Sequence, residues 1–397
     1  MFPEPWYIPP NFEYTEKTVT IIGAGLAGTS AAYSLAKQGW NVTIIERNDG
    51  VGQEASGNPA GIVMPLASHK SDVIGQFYLN GFEHTLRHLE NYKKNKIWQQ
   101  CGVYEINEKK HKIDNIISKE YSEITSKLPE NVPLVKEATE YLYLAKAGMA
   151  SPGLLCQENI KSPNITTIFN TDILSLKFNG IWKIFDSKDK IITTSEVVII
   201  ANANDAKSFE QTNWLPIIPV RGQITYLPDI YDFKNIICYE RGYITPAIDG
   251  YHYVGATFSR DNMDLTPKAS DDAENIENLS RYINTKHIDM GKLTGRASLR
   301  ATTPDRRPII GPVPNAAKFA EDYNDLKHGK RHKKYPAGTY LKGLYITAGH
   351  GSRGLTSCPI AGEIIANYVN SEANKTSPQN ILNALNPARF LIRRLKK

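Results

Sequence analysis

The chain has 397 residues, 41% of them hydrophobic, with 47 Lys and Arg against 41 Asp and Glu and a formal net charge of +6. This length and apolar content suit two domains or one elaborated α/β unit with a sizeable core, and argue against a disordered chain. No stretch reaches the roughly 18 apolar residues of a membrane span, and the first residues lack the basic start and apolar run of a secretory leader; a cytoplasmic protein with no membrane partner is expected.

Cys101, Cys156, Cys238 and Cys358 are scattered, with no CxxC pair and no histidine at zinc-ligand spacing, so free thiols in a reducing compartment and no metal site are expected. After an extension over residues 1–16, the run from Thr18 to Arg47 reads as a β-branched strand, a glycine turn, an Ala/Leu-rich helix and a second β-branched strand. Gly23, Gly25 and Gly28 form G-x-G-x-x-G at the first strand-to-helix junction, and Glu46 ends the second strand. Gly23 permits the tight turn, Gly25 lets backbone approach a pyrophosphate, and Gly28 lets helix and strand pack closely. The anion then sits on the helix N-terminus. An acid at Glu46 suits ribose hydroxyls and disfavours a 2′-phosphate, so FAD or NAD fits better than NADP.

Directly afterwards, Gly52 to Pro65 (GQEASGNPAGIVMP) has neither a strand nor a helix period, and gathers three glycines and two prolines around Ser56 and Asn58. Such a loop can lie close against a flat ligand. Further along lie Glu196–Ala206, Val220–Pro228, Ser298–Pro314 and Ile346–Val369, four segments that bear on the family resemblance below. Two short segments concentrate basic residues: Lys327, Lys330, Arg331, Lys333 and Lys334 with His328 and His332, and then Arg389, Arg393, Arg394, Lys396 and Lys397.

The glycine fingerprint, the acidic strand end and ASGNPAGIVMP together resemble the D-amino acid oxidase family of FAD enzymes, and within it the oxidoreductase domain of proteins that modify the wobble uridine of tRNA. The later segments and the ending LNPARFLIRRLKK extend the resemblance over nearly the whole chain. It implies an α/β fold: a Rossmann-like FAD-binding domain of the GR2/D-amino acid oxidase type with an inserted α+β substrate domain on a mostly antiparallel sheet. The implied limits are 17–90, 148–215 and 337–397 for the discontinuous FAD domain, and 91–147 and 216–336 for the substrate domain.

FAD contacts are implied for Gly23, Ala24, Gly25, Leu26, Ala27, Gly28, Glu46 and Arg47, for Ala55, Ser56, Gly57, Asn58, Gly61 and Ile62, for Ala201, and for the loop Gly349, His350, Gly351, Ser352, Arg353, Gly354 and Leu355. The implied reaction is oxidation of the carboxymethylaminomethyl group of the wobble uridine, releasing glyoxylate and leaving 5-aminomethyluridine, with the tRNA anticodon loop as partner and a separate tRNA methyltransferase as a further one. Arg300 is the first candidate for the substrate carboxylate, because a guanidinium fork matches its two oxygens and the resemblance aligns it with a ligand-binding arginine; an ion pair with Asp305 is the competing role. Arg353 is the second, with a flavin-oxygen or backbone contact equally open. His350 reads as a hydrogen-bond partner rather than a base. Tyr335 and Phe390, beside the basic segments, are candidates to stack on unpaired bases. An oxidase of free glycine, sarcosine or a D-amino acid, and a flavin-bearing RNA-binding protein without turnover, are the alternatives that fold alone does not separate.

Overall fold

The computed structural model describes residues 4–66, 72–92, 96–106, 123–125, 132, 141–328, 333–374 and 376–397. The chain divides into two compact units, one of Met1–Gly57, Gly153–Ile218 and Ala301–Lys397, the other of Asn58–Pro152 and Pro219–Arg300.

The first unit is built on a six-stranded sheet in the order Ile309–Pro314, Tyr340–Ala348, Val197–Ile200, Thr18–Ile22, Asn41–Ile45, Ile165–Ile168. All pairings are parallel except that between Ile309–Pro314 and Tyr340–Ala348. The central strands are nearly continuous apolar runs, as a parallel sheet covered on both faces requires; Val197, Val198, Ile199 and Ile200 have no accessible surface. Helix Leu26–Lys37 packs against helix Gly354–Val369 so closely that a Cβ on Gly362 would stand 2.4 Å from the Ser30 carbonyl oxygen. A three-stranded antiparallel sheet, Ile173–Asn179, Ile181–Asp186 and Ile191–Ser195, adds Trp182 and Ile184 to the same core. A second core joins Trp6 of the N-terminal extension to Phe319, Tyr323, Tyr340, Leu391 and Ile392.

The second unit carries an eight-stranded sheet in the order Thr294–Thr302, Ile218–Pro228, Tyr251–Gly255, Gly242–Ile244, Ile236–Tyr239, Val103–Ile106, Tyr141–Leu144, Glu123–Thr125. From Ile218–Pro228 onward its pairings are antiparallel, apart from the parallel pair Ile236–Tyr239 and Val103–Ile106. Helix Ala269–Ser280 buries Ile276 and Leu279 against Ile237, Ile244 and Val254 of this sheet.

These units do not share the limits expected from the sequence. Residues 58–90 group with the second unit and 301–336 with the first. Gly148–Ala150 pairs with both Gly61–Val63 and Trp98–Gln99, which ties 61–63 to a segment of the second unit, and Ile309–Pro314 pairs with Tyr340–Ala348 of the first. The extension over 1–16 is likewise part of the first unit's core through Trp6.

Candidate functional site

In the first unit the glycine turn has the geometry its sequence predicts. Gly23 has φ +103°, and a Cβ there would stand 2.8 Å from the Ala201 carbonyl oxygen. A Cβ on Gly28 would fall 1.9 Å from the Gly23 carbonyl oxygen, so helix and turn meet backbone to backbone. Gly25 differs: a Cβ there would meet only the Ser56 hydroxyl, at 3.5 Å, so this glycine faces open space. The N-terminus of helix Leu26–Lys37 opens onto that space, and the Leu26 N–H donates to Ser56 Oγ at 2.9 Å. A hydroxyl thus stands where free N–H groups and the helix dipole favour an anion.

Glu46, 9% exposed, is oriented by the turn itself. Its Oε2 accepts from the Ala24 N–H at 2.7 Å, and its Oε1 from the Asn48 N–H at 3.0 Å and Asn48 Nδ2 at 2.7 Å. A carboxylate offers about four lone-pair sites, so capacity for ribose hydroxyls remains. Asn48 was not singled out by sequence reasoning, since nothing in its spacing distinguishes it from an ordinary turn residue. Next to it, the half-exposed guanidinium of Arg47 is ion-paired to Glu54 and Asp205 at 2.7 and 2.8 Å. Gly52, φ +68°, donates to the Ala24 carbonyl at 3.0 Å and leaves only 3.2 Å between a Cβ and Gly153 Cα, so the loop that follows Glu46 folds back onto the turn. Ala55–Gly57 then closes as a single 3-10 turn.

The closing loop has the same character. Gly349 and Gly351 have φ +71° and +59°, and the Gly351 N–H donates to the Ala301 carbonyl at 2.9 Å. His350 is held by the hydroxyls of Thr347, at 2.9 Å from Nε2, and Ser357, at 2.8 Å from Nδ1. Loss of solvent around the ring pushes its pKa down to about 4, so it is neutral at pH 7 and locks the loop rather than moving protons. Ser352 is exposed, Arg353 caps helix Gly354–Val369, and Leu355 is buried beneath it. An open space at Gly25, a helix N-terminus facing it and an oriented acid at Glu46 make a cradle whose donor set fits FAD.

Asn58, Gly61 and Ile62 lie in the second unit. Asn58 Oδ1 accepts from Arg296 Nη1 at 2.8 Å, and Ile62 pairs with Met149 in the short sheet.

The second unit also holds Arg300, whose surroundings are unusual for a cation. Among the described residues no carboxylate pairs with it, and its buried Nη1 has no hydrogen-bond partner. The guanidinium lies against Gly222, where a Cβ would fall 2.1 Å from Nη1, and its Cζ stands 4.6 Å over the ring of Phe258. Burial lowers its pKa from the ordinary arginine value, partly offset by the nearby Tyr243, but a guanidinium stays charged. Burial likewise pushes the Tyr243 phenol up to about 12 against the opposing charge of Arg300, so it remains protonated. The competing partner, Asp305, is taken: Arg389 Nε and Nη2 reach its two oxygens at 3.0 and 3.2 Å, and Arg393 Nη1 adds a contact at 2.5 Å. Arg221, by contrast, is fully engaged, with Asp271, Gln223 and the carbonyls of Asp264 and Thr266. Gly222 and Phe258 were missed in the sequence; a glycine inside a strand marks a close approach, and Gly222 carried that signal.

The basic segments are corrected in part. Lys330, Arg331 and His332 lie outside the described residues. Tyr335 does not stand free to stack: its hydroxyl donates to Asp325 at 3.0 Å, and its ring contacts Trp6 and Tyr323. Phe390 is 8% exposed, with Arg389 and Arg393 at 4.1 and 5.6 Å over its ring, so no base can reach it. Arg389 is 2% exposed and belongs to the core ion pair with Asp305, whereas Arg394 and Lys396 remain on the surface, near the Trp214 carbonyl and Glu4.

No helix among the described residues is long and apolar enough to cross a membrane. The family model "DAO: FAD dependent oxidoreductase" matches residues 18–368. The protein named tRNA 5-methylaminomethyl-2-thiouridine biosynthesis bifunctional protein MnmC from Pseudomonas putida (strain W619) is 34% identical over 410 residues, covering 98% of this chain and 62% of its own length. Its namesake from Pseudomonas savastanoi pv. phaseolicola is also 34% identical, with 99% and 62% covered. The chain therefore spans less than two thirds of the length of these relatives. Among solved structures, glycine oxidase from Geobacillus kaustophilus superposes with a TM-score of 0.72 at 16% identity, covering 94% of this chain and 98% of that one. L-amino acid deaminase from Proteus vulgaris gives 0.71 at 14% identity, covering 96% and 98%. These two likenesses concern the fold.

Proposed function

The chain belongs to the DAO family of FAD-dependent oxidoreductases, and from that premise we propose that it oxidises the carboxymethylaminomethyl group of the wobble uridine in tRNA, releasing glyoxylate and leaving 5-aminomethyluridine. One observation carries the reading: a guanidinium, Arg300, whose buried Nη1 has no hydrogen-bond partner and which no carboxylate neutralises among the described residues. An uncompensated buried cation is costly, so a site that keeps one is built for an anion that arrives later. The group to be oxidised is a glycine unit whose nitrogen is joined to the base through a methylene, and its carboxylate matches the fork of Arg300.

Bound FAD supplies the acceptor for the hydride that leaves the glycyl methylene. The protein's part is to hold and exclude. Arg300 fixes the carboxylate, and with it the methylene one bond away. Tyr243, protonated at neutral pH, adds no competing negative charge beside that carboxylate. The turn at Gly25, the N-terminus of helix Leu26–Lys37 and Glu46 hold the dinucleotide end of the cofactor. His350, neutral and doubly hydrogen-bonded, keeps the Gly349–Gly351 backbone in shape. Water then hydrolyses the substrate imine to glyoxylate and the aminomethyl group. The names of the relatives at 34% identity support tRNA over a free amino acid as the carrier of the glycine unit.

The test is anaerobic bleaching of the visible flavin band by tRNA carrying the carboxymethylaminomethyl group, set beside glycine, sarcosine and D-alanine. Bleaching by the tRNA alone, with glyoxylate recovered, is the expected result. Bleaching by a free amino acid alone would make the protein a small-molecule oxidase, which Arg300 could equally serve, and no bleaching by either would leave a flavin protein without turnover.

A further inference from the structure

Phe258 is 63% exposed, the most exposed of the large hydrophobic side chains among the described residues, yet it does not lie on a loose loop. Its neighbours are pinned to the strand Ile218–Pro228. The Arg221 N–H donates to the Ser259 carbonyl at 2.8 Å and the Ser259 N–H to the Arg221 carbonyl at 2.9 Å, while Thr257 Oγ1 accepts from the Gln223 N–H at 3.0 Å. Phe258 thus stands opposite Gly222, on the sheet face where Arg300 lies. The guanidinium occupies one side of the ring, at 4.6 Å, and the rest of the ring is open. The cation–π contact uses no N–H donor, and Nη1 is left without a hydrogen-bond partner, so the fork can still donate to an anion. A rigid aromatic surface and an anion-seeking fork are therefore fixed side by side within one unit.

We propose that Phe258 is the platform on which the pyrimidine ring of the substrate stacks while Arg300 holds its carboxylate, so that this pair selects a glycine unit attached to a flat heterocycle over a free amino acid. The inference rests on the tRNA reading above. The arm joining ring to carboxylate has four single bonds of about 1.5 Å each, a span of roughly 5 Å when extended. A carboxylate on the guanidinium therefore leaves its own ring within reach of Phe258. Base–aromatic stacking needs a π-face and little else, and so tolerates any planar base. A free amino acid has no group for that face and gains nothing from it.

Phe258→Leu keeps apolar bulk and removes the π-face; Phe258→Trp keeps the face and enlarges it. With the modified tRNA as substrate, and flavin content and Tm matched to wild type, Phe258→Leu should raise KM roughly 10-fold, in the range set by one lost stacked base. Its kcat at saturation should change little, and Phe258→Trp should restore KM to the wild-type value or below. Bleaching by the tRNA with equal KM in wild type and Phe258→Leu would overturn the platform and leave the tRNA reading standing. Failure of wild type to be bleached by the tRNA would overturn the tRNA reading, and the platform with it.

Discussion

Arg300 carries a charge that folding has buried without neutralising, and this gives its replacement an uncommon signature. Charge-assisted hydrogen bonds are worth about 1.5–3 kcal/mol each, so losing a two-pronged grip on a carboxylate should lower kcat/KM roughly 100-fold to 10,000-fold in Arg300→Ala. The folded protein should lose little, because Nη1 has no hydrogen-bond partner to lose, and the lost contact with the Phe258 ring is offset by removal of a desolvated charge. Flavin content and Tm close to wild type, together with collapsed turnover, is the expected result; unchanged turnover would remove Arg300 from the site. Arg300 could be singled out in the sequence as a candidate. That Asp305 would be claimed by Arg389 and Arg393 could not be read there, because the three residues meet only through the fold.

At the scale of elements, the second and third glycines of the fingerprint separate folding from cofactor binding. Gly28→Ala forces a Cβ to 1.9 Å from backbone and should destabilise the protein with or without FAD. Gly25→Ala meets only a serine hydroxyl at 3.5 Å and should leave the apoprotein Tm unchanged while weakening FAD binding. Thermal unfolding of the apoproteins and FAD titration would check both, and an apoprotein destabilised by Gly25→Ala would contradict the open cradle. This turn was legible because positive φ and close approach restrict the residue type. The helix Ala388–Leu395 was misjudged for the opposite reason. Its arginines drew attention as a charge run, although Ala388, Leu391, Ile392 and Leu395 recur at helical spacing and mark an inward face, and Arg389 and Phe390 turn inward with them. Phe258 carried no periodic signal, since a single exposed aromatic after a strand looks like any surface residue.

For the molecule as a whole, Asp305 joins the loop after strand Thr294–Thr302 to the C-terminal helix. Burial alone would raise its pKa, but hydrogen bonds and charge from Arg389, a hydrogen bond from Arg393 and the Thr303 hydroxyl hold it well below the usual carboxylate range. A depressed folded-state pKa means that the stabilisation is fully present above the unfolded value of about 3.9 and is lost as pH falls through the folded one. The Tm of wild type should therefore fall more steeply on acidification below about pH 4 than that of Asp305→Asn. The variant should already be less stable at neutral pH, by about 3 kcal/mol, because it leaves Arg389 buried without its partner. Parallel acid limbs in the two proteins would show that the ion pair does not hold the C-terminal helix.

The chain changes unit after Gly57, Pro152, Ile218 and Arg300, and strand Tyr340–Ala348 lies between Ile309–Pro314 and Val197–Ile200. During synthesis, then, the fully apolar strand Val197–Ile200 must wait on one side for a partner that lies far downstream in the chain, since Val198 pairs with Leu344. Until the ribosome has delivered that partner, an open, hydrophobic strand edge is presented to every other nascent chain nearby. The same strand order that completes the sheet thus leaves the growing chain with an aggregation-prone edge until Tyr340–Ala348 has been made.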